Sequence, residues 1–198
     1  MRRLIALTLS ALVMALPASA EPLSLAQIST YLNSLRTVTG DFTQVNPDGT
    51  ITTGQIAIKR PGRVRFDYAQ DDALVMSGGG QVAVFDPVSN EPPQRFPLAR
   101  TPLSIILADD VDLTRTNMVT GHNSDGQTTS VVAQDPEHPE YGSIELVFSG
   151  PPAQLRQWVV TDDSGAQTTV ILGDTKEGGT INNIAFNIRA EMRKRGFD

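Results

Sequence analysis

The chain has 198 residues, with 16 lysines and arginines against 22 aspartates and glutamates, two histidines and no cysteine. A net charge of −6 leaves no electrostatic footprint for nucleic acid, and an anionic membrane surface should repel such a chain. Without cysteine no disulfide can staple the fold, which must bury a core of its own.

Met1-Arg2-Arg3, the apolar run from Leu4 to Leu16 and the small residues Ala18-Ser19-Ala20 read as a secretory signal peptide over residues 1–20. The apolar run is too short to span a bilayer comfortably. Setting aside Arg2 and Arg3 leaves 14 basic residues against 22 acidic ones, a net charge of −8 for residues 21–198. These residues are expected to form one domain. With no cysteine after the signal to carry a lipid anchor, the expected product is a free periplasmic protein.

Ser24 and Gln27 have the spacing of a capping box, ahead of an apolar stripe at Leu25, Ile28, Leu32 and Leu35. The spacing predicts an amphipathic helix that needs an apolar surface to lie on. From Thr37 the sequence turns to short runs of valine, isoleucine, threonine and phenylalanine divided by turn residues. These predict about ten antiparallel strands by their alternation: Thr37 to Val45, Gly54 to Lys59, Arg63 to Tyr68, Ala73 to Ser77, Gln81 to Asp86, Leu113 to Thr120, Gln127 to Gln134, Ser143 to Ser149, Gln154 to Thr161 and Thr168 to Leu172. An edge strand near Arg95 to Leu98 sits in a proline-rich loop. Thr101-Pro102 then starts a second short helix, apolar nearly all round through Leu103, Ile105, Ile106 and Leu107.

Ile144, Leu146 and Phe148 alternate with polar residues, as in a sheet with one wet side. Only one face then needs covering, and the two helices are the candidate covers. Such a sheet either closes and packs its own side chains or stays open with the helices as a lid over a cavity. A 6% aromatic content leaves room for an under-filled, aliphatic interior, while a packed core that binds nothing is the plainer reading.

One residue breaks the pattern. Ile56, Ile58 and Arg60 share a parity, as do Val64, Phe66 and Tyr68, so a period-2 strand puts an arginine at the rim of an apolar surface. Arg60 precedes Pro61-Gly62, and a charge at a strand end ordinarily turns into water. Alternatively its five-donor guanidinium is a latch that holds backbone carbonyls of another element across the apolar face. Chemistry of other kinds finds little support. His122 and His138 lie in loop-like segments without a second histidine at ligand spacing, and no nucleophile elbow or phosphate-binding glycine loop is present. No enzyme activity, metal or cofactor is expected.

Gly40-Asp41-Phe42-Thr43-Gln44, the hairpin Lys59-Arg60-Pro61-Gly62-Arg63, Asp86-Pro87, Thr101-Pro102-Leu103 and Phe186-Asn187-Ile188 occur in an order that resembles the outer-membrane lipoprotein carrier proteins of the LolA type. The resemblance implies an unclosed antiparallel β-barrel, mainly β with some α, covered by a lid of short helices. It implies a periplasmic chaperone that takes triacylated lipoproteins from an inner-membrane lipoprotein-releasing ABC transporter to an outer-membrane receptor. By the same resemblance Arg60 is the lid latch, and the lid comprises Leu25, Ile28, Leu32, Leu103, Ile106 and Leu107, with a further short segment near Ile181 to Ala185. The acyl-chain cavity is expected at Ile56, Ile58, Val64, Phe66, Tyr68, Val84, Ile144, Leu146 and Phe148, in a monomer. The chain departs from the family after Ile188, where a short basic tail replaces a further extended segment. The alternative is a periplasmic lipid- or lipoprotein-binding sensor of the same fold.

Overall fold

A computed structural model of the chain describes residues 21–197, and the expected signal peptide at residues 1–20 lies outside them. Helix α1 (Leu25–Ser34) opens on the reciprocal capping box: Gln27 N–H donates to Ser24 Oγ at 3.3 Å, and Ser24 N–H donates to Gln27 Oε1 at 2.8 Å. A ten-residue helix is marginal in water on its own, so its stability comes from the face it buries, Ile28 and Leu32.

Six strands follow, β1 (Thr37–Val45), β2 (Ile51–Lys59), β3 (Arg63–Tyr68), β4 (Leu74–Gly78), β5 (Gln81–Phe85) and β6 (Gln94–Pro97). After helix α2 (Leu103–Leu107) come β7 (Val119–Ser124), β8 (Thr128–Gln134), β9 (Ser143–Ser149), β10 (Gln154–Thr161) and β11 (Gln167–Glu177), followed by helix α3 (Ile188–Lys194). All eleven strands form one antiparallel sheet in the order β6-β5-β4-β3-β2-β1-β11-β10-β9-β8-β7. It consists of two meanders joined where β1 pairs with β11. The edges β6 and β7 do not pair with each other, so the barrel is unclosed, as expected. The chain from Leu98 to Met118 runs from one edge to the other and carries α2 on the way.

Alternation decides which side chains meet. Phe42, Ile56, Ile58, Val64, Phe66, Val131, Ile144, Leu146, Phe148, Trp158 and Val170 gather on one face of the sheet. They form a single buried cluster with Ile28 and Leu32 of α1 and Ile105, Ile106 and Leu107 of α2. Each such side chain removed from water contributes roughly 1.5–3 kcal/mol.

Four expectations need correction. The sheet is covered on both faces at β4 and β5, where Leu74, Met76, Ala83 and Phe85 pack outward against Ile188 and Met192 of α3. The reason is visible in the sequence: Leu74-Val75-Met76 and Val82-Ala83-Val84-Phe85 are unbroken apolar runs, the pattern of strands buried on both sides. Gly78 adjoins this interface, and a Cβ there would run into the carbonyl of Phe186. The strand expected over Leu113 to Thr120 lies later, at Val119–Ser124, and Leu113 and Met118 are instead buried within the crossing segment. The last strand runs on past Leu172 to Glu177, because the polar stretch Gly173 to Glu177 pairs with the start of β1. Finally, Thr101 does not cap α2; its hydroxyl donates to Leu98 O at 2.8 Å, and Pro102 takes the cap position.

Candidate functional site: a buried arginine beneath the helical lid

Arg60 follows the last residue of β2 and is only 6% exposed. Its backbone N–H donates to Arg36 O at 2.9 Å, which fixes the residue beside the end of α1. Its guanidinium lies between the C-terminal ends of the two lid helices. Nη1 donates to Leu32 O in α1, while Nε and Nη2 both donate to Ala108 O, just after α2, at 2.9 and 2.6 Å. Nη2 also donates to Asn33 Oδ1 at 3.1 Å. The neighbouring turn adds a backbone tie, with Gly62 N–H donating to Leu107 O at 2.8 Å.

The chemistry of this arrangement follows from helix ends. The last carbonyls of a helix have no intrahelical donor and carry the negative end of its dipole, so a fork of positively charged donors suits them. Among the described residues no carboxylate lies within ion-pairing distance of Arg60. Burial first, and then the charge of Arg36, lower the Arg60 pKa, against the pull of Asp109 and Asp110. The cation is therefore held by neutral oxygens from the ends of both helices. Asn33 extends the clasp, accepting from Val111 N–H at 2.8 Å and donating to Val111 O at 2.9 Å.

The lid is closed on the sheet. Ile28, Leu32, Ile106 and Leu107 are buried at 0–5% exposure, and Leu25 and Leu103 are partly buried at the edge of the same cluster. On the far side α1 is tied to the second meander: Leu155 N–H donates to the Tyr31 hydroxyl at 3.2 Å, and the Tyr31 ring meets Phe148 edge-on at 6.1 Å. The segment near Ile181 to Ala185 is a 3₁₀ turn at Asn183–Phe186, and Arg63 Nη1 and Arg65 Nη1 reach it at Asn183 Oδ1 and Ala185 O.

Of the candidate cavity residues, Ile56, Ile58, Val64, Phe66, Ile144, Leu146 and Phe148 are buried on the concave face. Tyr68 and Val84 stand farther toward its open end, both in the wall of a cleft of about 400 Å³. That cleft lies among the turns at the end of the sheet opposite Arg60, also lined by Gln44, Thr52 and Val75. Of the two readings of the interior, under-filled or packed, the structure shows the packed one, with the lid's own side chains occupying the space. It also holds more aromatic surface than 6% suggests, since Phe42 packs edge-on against Phe66 and Tyr68 at 5.3 Å and Phe66 lies 6.4 Å from Trp158. Phe42 and Trp158 were not singled out from the sequence. Gly40 pairs with Ile56, which puts Phe42 two residues on along the same face, and Trp158 pairs with Leu146, so register from residues already assigned to the face would have found both. A bulge between Leu155 and Gln157 hid the second by breaking the parity along β10.

His122 sits on β7 with Nε2 2.9 Å from Leu23 O, and His138 contacts Glu140 and stacks on Tyr141. The two histidines therefore serve unrelated local contacts.

The family model described as outer membrane lipoprotein carrier protein LolA matches residues 33–189. The chain belongs to the LolA family. It is 26% identical to an outer-membrane lipoprotein carrier protein of Azotobacter vinelandii, covering 96% of this chain and 95% of that one. A protein of the same name from Pseudomonas syringae pv. tomato is 24% identical over 84% of each chain. A crystal structure of a LolA superfamily protein from Nitrosomonas europaea aligns with 83% of this chain and 98% of that chain, at 12% identity and a TM-score of 0.38. The match to the LolA family spans Asn33, Arg60 and Ala108 and stops at Arg189, so most of α3 lies beyond it.

Proposed function

We propose that this LolA-family chain is a periplasmic carrier, exported by residues 1–20 and folded as one domain over 21–198, that shields the acyl chains of triacylated outer-membrane lipoproteins. It takes them as a monomer from an inner-membrane lipoprotein-releasing ABC transporter and delivers them to an outer-membrane receptor. The observation that carries this reading is the guanidinium of Arg60, buried and bonded to the carbonyl ends of both lid helices at once.

An acyl chain in water costs about 0.8 kcal/mol per methylene, so it crosses the periplasm only inside an apolar shelter. Here the shelter is filled by the lid until a client arrives. Loading swings α1 and α2 away, frees their carbonyls to water and lets acyl chains replace Ile28, Leu32, Ile106 and Leu107 against the concave wall of Ile56, Ile58, Val64, Phe66, Ile144, Leu146 and Phe148. Tyr68 and Val84 lie where such chains would emerge. Because the empty state regains the Arg60 bonds, client affinity is reduced by the cost of opening, and release stays possible. No bond is made or broken, which fits a binding protein better than an enzyme.

Native mass spectrometry tests the reading directly. After incubation with spheroplasts making a tagged outer-membrane lipoprotein, the carrier role requires a one-to-one soluble complex that disappears when outer membranes are added. Purified protein that stays empty, or fills only with phospholipid, would replace it with a general lipid-binding role.

A further inference from the structure

Arginines without a carboxylate partner gather on the outer face of the sheet, where α3 meets β5 and β6. Arg63, Arg95 and Arg189 line one cleft of about 430 Å³ with Phe186 and Ile188 in its walls. Arg95, Arg189 and Arg193 line an adjoining one of about 340 Å³ beside Met192 and Phe197. Arg95 and Arg189 belong to both. Among the described residues no aspartate or glutamate lines either cleft, and none of these four arginines makes an ion pair. Glu191, the nearby acid on α3, is taken up by Arg65 and Arg195 at 3.0 Å each.

We infer that this face docks on anionic phospholipid, with lipid phosphates seated against Arg95 and Arg189 and flanked by Arg63 and Arg193. Guanidinium forks match phosphate oxygens in pairs, and several cations left together without acids repel one another until an anion arrives. Two clefts sharing two arginines form a row, which suits the repeated phosphates of a bilayer surface better than one small anion. Phe197 and Met192 give the rim an apolar component suited to the headgroup boundary. With a net charge of −8 over residues 21–198, the chain still presents these two acid-free clefts to a bilayer, although Asp72, Asp86 and Glu91 line the next cleft beyond Phe197. The repulsion expected from net charge alone is thus overridden locally. The site is separate from the lid and independent of what the lid covers.

The test is co-sedimentation of the purified protein with vesicles of phosphatidylcholine alone or with one quarter phosphatidylglycerol, from low to half-molar salt. Binding is expected only to the anionic vesicles and is expected to be lost at high salt. Each arginine removed should weaken it about fivefold, so Arg95→Ala with Arg189→Ala should lose roughly 25-fold, while Arg95→Lys with Arg189→Lys retains most of it. Equal binding to both vesicles, or an unchanged alanine double variant, overturns the inference. Inorganic phosphate shifting the arginine side-chain resonances without any vesicle binding would make this a small-anion site instead. Capture of a polyglutamate peptide but not of vesicles would make it a surface for an acidic protein. Salt sensitivity of the unaltered protein supplies a readout that does not depend on any variant folding.

Discussion

Arg60 bonds the carbonyl oxygen of Ala108 with two of its guanidinium nitrogens, Nε at 2.9 Å and Nη2 at 2.6 Å, while a third turns to Leu32 O in the other lid helix. The two helices are far apart in sequence, and this one side chain bonds to the ends of both. Freeing either end strands donors that the other helix cannot satisfy alone.

Arg60→Leu should therefore destabilise the closed state by about 2–3 kcal/mol, the worth of hydrogen bonds to a charged group, and lower the melting temperature by roughly 4–12 °C. Calorimetry gives the first number. Trp158, the one tryptophan of the chain and only 1% exposed, gives a second readout, because a loosened lid admits acrylamide to it. Arg60→Lys should fall between, since a single ammonium cannot span both helix ends. A variant with unchanged melting and unchanged quenching would show that the lid closes without the latch.

Leu107→Ala tests the other half of closure. Leu107 is 2% exposed in the cluster under the lid, and truncating such a residue costs about 2–5 kcal/mol. If the empty lid competes with acyl chains for the same wall, this loss lowers the cost of opening and strengthens client retention. The expected result is slower release of a tagged lipoprotein to outer membranes. Faster release would mean that Leu107 holds the client rather than the empty state.

How much of this was legible depends on range. Parity placed Arg60 at the rim of the apolar face, and the capping box and stripe placed α1, because both signals are local. The acceptors of Arg60 were not legible as residues, since Leu32 and Ala108 lie 28 and 48 positions away and only the closed fold aligns their carbonyls. The same holds for β11, whose polar second half is strand only because β1 offers it partners. Helix α3 was hidden differently. Its basic composition reads equally as a fraying tail or a helical turn; Asn187 decides for the helix by capping it through Ala190 N–H at 3.0 Å, and Ile188 and Met192, four apart, face the outer cluster.

Gly78→Ala should loosen α3 without touching the lid. The added Cβ meets the backbone carbonyl of Phe186, which cannot yield as a flexible side chain would. Amide exchange over residues 183–195 should quicken, while α1 and α2 keep their protection. Loss of protection in both regions would mean that the two faces of the sheet are coupled.

The pH dependence of stability should carry the signature of Glu191. Burial pushes its carboxyl up, but hydrogen bonds from Arg195 and Arg65, with the charges of Arg65 and Lys194, outweigh burial and leave it below its ordinary value of 4.5. A carboxyl with a folded pKa below its unfolded one binds fewer protons when folded, so unfolding takes up protons and stability rises with pH through that range. The contribution is complete above 4.5, declines as pH falls below it and is gone once pH has passed the lowered folded value. Glu191→Gln keeps the shape and removes the titration. At pH 7 it should be less stable than the parent by urea denaturation, and the difference should shrink steadily as pH falls below 4.5. A difference that stays constant across that interval would show that Glu191 contributes packing and hydrogen bonds but no charge, and that Arg65 is sufficiently held by Asp67, 2.7 Å away.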